Sequence, residues 1–457
     1  MTVHLEDAQP KGTKTKGSVF IINLGCAKNL VDSEFVLGLL QARSFVFAQS
    51  LAEADYAVIN TCGFIRPAVE ETIDTILEVL HLKEQGTLKK VVVLGCFVQR
   101  YGFKLTKVIP EVDAWVGTGE IQRVADILED NSKLSPAPVH ISRPVLIADH
   151  TFPRIQISPF YSAYLMIADG CSHRCSYCII PRLRGPYRSR GMESLCIQAE
   201  EMVQSGVKEI NLIAQDTTLY GKDLKEGVCL EDLLERLVRI RGVQWIRLLY
   251  CYPGEISNRL LELIDSEEAI CPYLDVPLQH VNESILRAMG RSSSGETPWE
   301  LIERIRSGRR EISLRTTLMV GFPGETEDMF QELCDFVKKA QFNHLGTFTF
   351  SREKGARAAR FKATVKGEIA QQRQEKLMTL QRGISRKLNQ RLVGRTVPVL
   401  IEGVSPETDL LLKGRMKTMA PEVDGEVLIN KGEGVVGEIM PVLITEAHDY
   451  DLVGEIV

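Results

Sequence analysis

Short apolar runs alternate with amphipathic stretches of helical period along most of this chain. Three of the runs near the start end in a cysteine, and they span residues 19–26, 56–62 and 91–96. Helical patterns occupy residues 32–42 and 69–82 between them. Strands that alternate with helices in this way predict a parallel sheet with right-handed crossover connections. The strongest constraint on the fold is therefore a sheet whose strands all finish at the same edge.

The cysteines that end these runs are expected to lie together at the carboxyl edge of the sheet. They are Cys26, Cys62 and Cys96. Ligands bind at this edge in parallel α/β folds, and neighbouring strands are ~4.8 Å apart, so three thiols are able to converge there. Three unrelated buried cysteines are the alternative, because free cysteine is among the most buried residue types. The pattern favours a metal centre of three cysteines that the fold assembles.

A second series of strand–helix units follows between residues 159 and 390. The strand candidates are residues 163–168, 209–214, 245–250, 273–276, 315–320 and 344–350. Six such units fit a partial (β/α)6 barrel of the TIM type, in which chemistry takes place at the carboxyl ends of the strands. Apolar residues that recur largely every three or four positions predict one long helix over residues 365–392.

A compact cysteine motif follows the first strand of the second series. Cys171, Cys175 and Cys178 have the spacing C-x3-C-x2-C, so three thiolates within eight residues are able to hold one metal centre. Closed structural zinc sites and closed iron–sulfur cubanes both need four ligands. A set of three leaves one iron of a cubane open, and a substrate or cofactor is able to bind there. The alternative is a zinc knuckle with His173 as the fourth ligand.

Polar residues follow several other strands of this series and are candidates for cofactor or substrate contacts. They include Gln215, His280 and the turn at residues 321–324. A structural role for His280, as a helix cap or a core hydrogen-bond partner, is an equally good interpretation, and glycine and proline at 321–324 are first a turn signal. Four arginines near the cysteine loop form either a solvated loop or a site for an anionic group; they are Arg182, Arg184, Arg188 and Arg190.

The last part of the chain, residues 391–457, has short apolar runs separated by glycine and proline. This pattern predicts a small all-β barrel of the nucleic-acid-binding type, and such barrels usually present basic residues. Here six Lys and Arg stand against twelve Asp and Glu, a balance of −6. We therefore expect the module to repel phosphate backbones and to attract a basic protein. Acids scattered for solubility alone are the alternative.

The 457 residues are enough for several domains. We expect a disordered tail at 1–17, a parallel α/β domain at 18–130, a linker at 131–158, the barrel at 159–390 and the β module at 391–457. A net charge of −5 gives no overall basic field, so tight nucleic-acid binding is not expected.

The cellular compartment is predicted from what the chain lacks and from its cysteines. No apolar run approaches the ~20 residues of a membrane span, and the N-terminus has no secretory pattern. We therefore expect a cytoplasmic protein without membrane association. Eleven cysteines in a reducing compartment favour metal or redox chemistry over disulfide bonds.

With these residues placed, the chain resembles the radical S-adenosylmethionine (SAM) methylthiotransferases over nearly everything after residue 17. The C-x3-C-x2-C loop matches the highly specific radical SAM cluster motif, and the three strand-end cysteines match the auxiliary-cluster cysteines of that family. The module at 391–457 resembles a TRAM domain.

Within this family the chain is more similar to the RimO type than to the tRNA-modifying MiaB type. The sequences that carry this likeness are residues 24–34, 60–65, 212–216 and 277–280. Two positions depart from the RimO pattern. Ala27 stands where proline is common, and residues 351–355 replace a more acidic run, which puts the substrate contacts at that barrel edge in doubt.

The resemblance implies SAM and two 4Fe–4S clusters as cofactors. Cys171, Cys175 and Cys178 would hold the cluster that cleaves SAM to a 5′-deoxyadenosyl radical, with electrons from an external donor. That radical would take hydrogen from the β-carbon of an aspartate in the twelfth small-subunit ribosomal protein, met free or on the ribosome. The cluster on the strand-end cysteines would then deliver a methylated sulfur.

By the same resemblance, Tyr177 would support the adenine of SAM, and Gln215, Gly321 and Gly324 would line the SAM pocket. Two alternatives remain. One is a MiaB-type tRNA adenosine methylthiotransferase. The other is a non-catalytic, metal-stabilised RNA-binding scaffold.

Overall fold

The computed structural model of the chain describes residues 15–130, 132, 135–291 and 295–457. Most of the predicted tail, residues 1–14, lies outside the described residues. The chain divides into two compact units. The first comprises Met1–Pro159, Met166–His173 and Cys178–Ile197, and the second comprises Phe160–Leu165, Arg174–Tyr177 and Gln198–Val457.

The first part of the chain forms a parallel sheet of six strands covered by helices. The strands are β1 Ser18–Asn23, β2 Val46–Phe47, β3 Tyr56–Thr61, β4 Lys90–Gly95, β5 Ala114–Val116 and β6 Val139–His140. The helices are α1 Ala27–Ala42, α2 Arg66–Glu84, α3 Cys96–Tyr101, α4 Leu105–Val108 and α5 Val124–Glu129. The strand order is β2-β1-β3-β4-β5-β6, and each strand pairs in parallel with its neighbours. The predicted parallel α/β sheet is confirmed.

The central strands of this sheet are buried along their whole length, as their apolar sequences require. Every residue of β3 is buried, and β4 is buried from its second residue onward. When helices cover both faces of a parallel sheet, the side chains on both sides of each strand are apolar. Apolar and polar residues therefore do not alternate along β3 and β4. The chain reverses its direction of strand addition between β1 and β3, and such a switch point opens a crevice at the carboxyl ends.

The described part of the stretch predicted to be a linker, residues 132 and 135–158 of 131–158, is mostly irregular but is bound to this unit. Its strand β6 pairs with β5 through Trp115 and Val139. Further on, Arg154 donates to the buried carboxylate of Glu34 at 2.8 Å, and the Ile157 amide donates to the same carboxylate at 2.9 Å. The Pro and Ser content of this stretch predicted only that it would lack regular secondary structure. That composition did not reveal these contacts.

The second series of strands builds an open sheet in chain order. The strands of this sheet are β7 Ser162–Met166, β10 Glu209–Ile213, β11 Trp245–Leu248, β12 Ile270–Asp275, β13 Ser313–Val320 and β14 His344–Thr349, whereas β8 Ala168–Asp169 and β9 Arg188–Ser189 form a separate antiparallel pair. The helices are α6 Ile180–Leu183, α7 Met192–Gln204, α8 Leu230–Leu237, α9 Asn258–Ser266, α10 Glu283–Met289, α11 Pro298–Arg306, α12 Glu327–Ala340 and α13 Gly367–Gln390. The order is β14-β13-β12-β11-β10-β7, with parallel pairing from β10 to β14. The predicted (β/α)6 partial barrel is confirmed.

The end of the chain forms a closed barrel of five strands. They are β15 Thr396–Ser405, β16 Thr408–Met416, β17 Val427–Lys431, β18 Ile439–Ala447 and β19 Leu452–Ile456, in the order β15-β16-β17-β19-β18. Alternate residues of β15 and β17, such as Val399, Ile401 and Val427, pack inward. The predicted small β barrel is confirmed. Within the described residues, no helix is both long and apolar enough to cross a membrane.

A buried charge network joins the β barrel to the larger sheet inside the second unit. Glu209 of β10 accepts hydrogen bonds from Arg247 at 2.8 Å and from Arg415 of β16 at 2.6 Å. All three side chains are almost fully buried. Arg415 also donates to Glu402 at 2.7 Å. Glu402 and Arg415 both belong to residues 391–457, so their pair takes one charge of each sign away from solvent and leaves the balance of −6 unchanged.

Replacing Glu209 with Gln should destabilise the second unit by about 3–5 kcal/mol, because two arginines would lose their buried counter-charge. Burial alone would raise the pKa of Glu209, but Arg415 and Arg247 hold it well below its usual range. The stabilisation is therefore present above the unfolded pKa of about 4.3 and is lost as the pH falls through the folded pKa. Denaturant unfolding of both proteins between neutral and acid pH measures this difference.

The control is Glu407→Gln, which removes an exposed acid of the same unit. Its unfolding should change by no more than about 0.5 kcal/mol. Equal stability of the Glu209→Gln variant and the wild type at neutral pH would contradict the prediction.

Candidate functional site

The structure brings the three strand-end cysteines to one edge of the first sheet. Cys26 immediately precedes α1, Cys62 follows β3, and Cys96 begins α3. Thr61 and Gly95 are direct partners across β3 and β4, so Cys62 and Cys96 leave the sheet side by side. This edge is the carboxyl one, at the switch point between β1 and β3.

Two glycines show how closely these cysteine loops approach one another. Gly25 has φ +100°, and a Cβ there would lie 3.0 Å from the Cβ and 3.5 Å from the Sγ of Cys62. A Cβ on Gly63 would lie 2.9 Å from the carbonyl carbon of Cys96. Side chains at either position would push the loops apart. The sequence Gly-Cys or Cys-Gly at these loops thus reflects close packing around the thiols.

Asn29, in the first turn of α1, ties the loops together through its side-chain amide. Its Nδ2 donates to the carbonyl of Leu24 at 2.9 Å and to that of Thr61 at 3.1 Å. These carbonyls lie just before Cys26 and Cys62. The backbone carbonyl of Asn29 in turn accepts from Asn60 Nδ2 at 2.7 Å. No spacing rule identified Asn29 in the sequence, because its role depends on two strands that are distant along the chain.

Three of the four arginines between residues 182 and 190 are largely buried, so this stretch is not a solvated loop. Arg184 and Arg190 are almost fully buried, Arg188 is mostly buried and only Arg182 is exposed. Arg184 donates to Asp32 at 2.6 Å, and Arg188 pairs with Asp169 at 3.1 Å. The buried members of this group already hold protein carboxylates or carbonyls, so the predicted role as a site for an external anion receives no support.

The three thiols differ in their surroundings and hence in their proton affinity. Burial raises the pKa of Cys96 to about 12 and also raises the pKa of Cys62. Desolvation opposes the thiolate of Cys26 as well, but the positive charges of Lys28 and Arg184 outweigh it and lower the pKa of that thiol. A cation bound by all three would have to displace protons from Cys62 and Cys96.

The C-x3-C-x2-C loop is held by backbone and side-chain hydrogen bonds at each cysteine. The Cys171 amide donates to the Gly185 carbonyl at 3.1 Å, and the Ile180 amide donates to Cys178 Sγ at 3.4 Å. Cys175 Sγ accepts from Arg291 at 3.8 Å. These hydrogen bonds hold the side chains and the backbone of the loop in fixed positions, as the ligands of a metal site require.

Arg291 is a site residue that the sequence reasoning missed. It lies just after α10, donates to Tyr177 Oη at 3.4 Å and to the Pro277 carbonyl at 2.6 Å, and stacks over the ring of Tyr252 at 4.5 Å. A small cavity of about 30 Å³ borders Arg291 and Tyr252. An isolated arginine after a helix gives no sequence signal, since its partners come from three separate loops.

The four predicted SAM-pocket residues lie in the second unit. Tyr177 packs against the cluster that contains Met289 and Phe322. Gln215 is half-buried just beyond the carboxyl end of β10. Gly321 and Gly324 form the turn after β13, with φ +76° and +96°. All except Tyr177 therefore follow the carboxyl ends of sheet strands, as the barrel geometry predicts.

His280 has a structural role, which was one of the two interpretations of this residue from the sequence. It is fully buried, its Nδ1 accepts from the Asn282 amide at 3.0 Å, and its Nε2 lies 3.4 Å from Glu325. Glu325 also accepts from the Gly321 amide and from Arg373 at 2.9 Å. His280 and Arg373 thus fix Glu325, which holds the Gly321 turn in place.

Family models match three successive parts of the chain. Residues 18–117 match Uncharacterized protein family UPF0004, residues 165–337 match the Radical SAM superfamily, and residues 393–457 match the TRAM domain. The match at 165–337 contains the C-x3-C-x2-C loop, and the match at 18–117 contains the three strand-end cysteines.

Curated relatives match the whole length of the chain. A protein of Pelobacter propionicus named ribosomal protein uS12 methylthiotransferase RimO is 47% identical over 96% of this chain and 98% of its own length. A protein of the same name from Geotalea uraniireducens is 46% identical over 97% of this chain and 99% of its own length. The chain belongs to the RimO family of radical SAM methylthiotransferases. It is therefore an enzyme, and its superfamily uses SAM and a 4Fe–4S cluster.

Solved structures support the fold of this RimO-family chain. The radical SAM methyltransferase TsrM of Kitasatospora setae matches 74% of this chain and 75% of its own with a TM-score of 0.54, at 15% identity. A second structure of that protein gives a TM-score of 0.55 over 72% of both chains, at 16% identity. At such low identity the likeness is one of fold.

The donor set of this RimO-family chain suits iron–sulfur clusters. Both cysteine sets offer soft thiolates, which select iron–sulfur clusters, zinc or copper(I) over hard cations. Among the residues that the structure describes, no three His, Cys, Asp or Glu side chains meet closely enough to hold a single metal ion. A four-iron cluster is larger than one ion, and its ligands surround it from separate directions. The soft thiolate donors of both sets are the feature that suits such a cluster.

Replacing Gly321 with Ala should destabilise the second unit by about 1–3 kcal/mol, because φ +76° disfavours a side chain and the new Cβ would lie 2.5 Å from the Cβ of Ala370. Gly324→Ala, with no atom within 4 Å of its Cβ, should cost less. Denaturant unfolding measures both effects.

The double variant Gly321→Ala, Ala370→Gly tests the steric part of the argument. It should recover part of the loss, since the close contact disappears while the backbone strain remains. A Gly324→Ala variant less stable than Gly321→Ala would contradict this account of the turn.

Proposed function

We propose that this chain methylthiolates the β-carbon of an aspartate in ribosomal protein uS12, the twelfth protein of the small subunit. The observation that carries the proposal is the presence of two separate three-cysteine sets at strand ends of one chain. One set alone accounts for radical formation from SAM, whereas sulfur insertion needs a second centre. The names of the full-length relatives agree with this activity.

The first set, Cys171, Cys175 and Cys178, is proposed to hold the 4Fe–4S cluster that binds SAM. When bound, the cluster and SAM supply reductive cleavage of SAM to a 5′-deoxyadenosyl radical, with electrons from an external donor. Arg291 orients the Cys175 thiolate and Tyr177. Tyr177 is proposed to support the adenine. Gln215, which is half-buried, and the Gly321–Gly324 turn are proposed to bind SAM.

The second set, Cys26, Cys62 and Cys96, is proposed to hold an auxiliary 4Fe–4S cluster that carries the sulfur. The close approach of the Gly25 and Gly63 loops and the amide bridge of Asn29 support this assignment. Because the set offers three thiolates, one iron is left open for an added sulfur. Cys26 is the most exposed of the three, so the centre is open on its side.

The proposed substrate is a basic protein met in the cytoplasm, either free or on the ribosome. Six acidic residues of the β barrel are exposed: Glu407, Asp409, Glu422, Glu433, Glu438 and Glu446. Three exposed basic residues oppose them: Arg391, Arg395 and Lys431. Even after its buried ion pairs are discounted, the surface favours a cationic partner and disfavours tight nucleic-acid binding.

A purified-substrate assay tests the proposal directly. The anaerobically reconstituted chain is given SAM and a reductant with either uS12 or unmodified tRNA. We expect a methylthio group on an aspartate of uS12 and no modified tRNA nucleoside. Product on tRNA alone would favour the MiaB-type activity and overturn the proposal. Zinc without iron, together with no reductant-dependent cleavage of SAM, would favour the RNA-binding scaffold.

Cys175→Ala and Cys62→Ala should separate the two steps. Cys175→Ala should abolish formation of 5′-deoxyadenosine, because the SAM-binding cluster loses a ligand. Cys62→Ala should retain that cleavage but form no methylthiolated uS12, because the auxiliary cluster loses its ligand. Chromatography of 5′-deoxyadenosine and mass spectrometry of uS12 measure the two products.

Cys229→Ala is the matched control, because Cys229 precedes α8 and belongs to neither set. It should retain both products. Full methylthiolation by the Cys62→Ala variant would show that the second set is not the sulfur centre.

A further inference from the structure

Arg184 brings a buried positive charge to the strand-end cysteine set. Its side chain is 3% exposed, and its Nη2 donates at 2.6 Å both to Asp32 Oδ2 and to Asn29 Oδ1. Asp169 lies further away, at 3.6 Å from Nη1. The proposed function gives this guanidinium no role. Removing an arginine this deeply from water is costly, and the ion pair with Asp32 offsets that cost.

The partner of Arg184 is the residue that holds the cysteine loops together. While Asn29 Oδ1 accepts from Arg184, its Nδ2 donates to the carbonyls that precede Cys26 and Cys62. The guanidinium therefore fixes which end of the amide faces the loops. Cys96 Sγ also lies 4.0 Å from Asn29 Oδ1. Arg184 thus acts on all three cysteine positions through one side chain.

The segment that carries Arg184 is fastened at both ends to the other cysteine loop. It begins at Cys178, whose Sγ accepts from Ile180, and it ends at Gly185, whose carbonyl accepts from Cys171. Between these points the Leu183 carbonyl accepts from Thr118 at 2.6 Å. The position of Arg184 is therefore set by a segment with several fixed points, and not by a free side chain.

A fixed charge beside an iron–sulfur cluster changes its reduction potential. Reduction adds negative charge, and a buried cation stabilises the reduced state more strongly than it would in water, because the local dielectric is low. A buried anion has the opposite effect. Arg184 and Asp32 are such a pair of opposite charges, and they lie beside the same cysteine set.

We propose that Arg184 is a positioning residue of the auxiliary centre, where it fixes Asn29 and supplies the buried positive charge that raises the reduction potential of the cluster on Cys26, Cys62 and Cys96. This inference rests on the proposed function, since it requires that cluster. It assigns Arg184 an influence on the potential and loading of the centre, and no contact with substrate.

An EPR-monitored redox titration of the reconstituted full-length chain tests the proposal. The auxiliary signal is identified as the one that is missing from the Cys62→Ala variant. Arg184→Gln should shift its midpoint to a more negative potential, whereas Asp32→Asn should shift it to a more positive one. Arg184→Lys, which keeps the charge, should shift it less than Arg184→Gln. Arg182→Gln, an exposed arginine of the same segment, should leave it unchanged.

Opposite shifts separate a charge effect from a structural one. A role in folding alone would lower the iron content of both the Arg184→Gln and the Asp32→Asn variants without moving their potentials in opposite directions. If the Arg184→Gln variant fails to retain the cluster, the Asp32→Asn variant alone decides the test. A more positive midpoint potential in that variant would support the proposal, and an unchanged midpoint potential would contradict it. Two clusters in the wild type with an unmoved Arg184→Gln midpoint would overturn this inference only. A wild type with a single cluster would overturn the proposed function as well.

Discussion

The side-chain amide of Asn29 is the contact on which the first cysteine centre depends. Parallel strands bring Leu24 and Thr61 to one edge of the sheet, where the Leu24 amide donates to the Asn60 carbonyl at 2.9 Å and the bonds from Asn29 Nδ2 to the carbonyls of Leu24 and Thr61 add a side-chain bridge between the two loops. Hydrogen bonds of this buried kind are costly to leave unmade, because both carbonyls would lose their partner away from water. Gly25 packs closely against both Asn29 and Cys62 at this bridge.

Much of this arrangement follows from the sequence. The alternation of strands and helices predicted both parallel sheets, and the position of each cysteine after an apolar run predicted its place at the carboxyl edge. The spacing of Cys171, Cys175 and Cys178 is local, so it needed no fold to be recognised. The glycine-rich turn after β13 was visible for the same reason, since its conformation depends on neighbouring residues.

Other parts could not be predicted because they depend on contacts between distant segments. Asn29 and Arg291 look like ordinary polar residues until strands and loops from elsewhere surround them, and Arg184 stood out only as a candidate for binding an anion, not as the partner of Asn29. Charge counting was imprecise for a related reason. The composition of residues 391–457 suggested a strongly acidic surface, but only six of its twelve acids are exposed, and the buried carboxylate of Asp424 is paired with Arg315 of β13. Sequence gives the number of charges, and only packing decides which of them reach solvent.

The central claim is that one chain carries two iron–sulfur centres of different purpose. The most direct measurement is the content of iron and acid-labile sulfide per chain after anaerobic reconstitution. The account predicts about eight of each, corresponding to two 4Fe–4S clusters. About four of each, with the same value in the Cys62→Ala variant, would show that the strand-end cysteines hold no cluster and would contradict it.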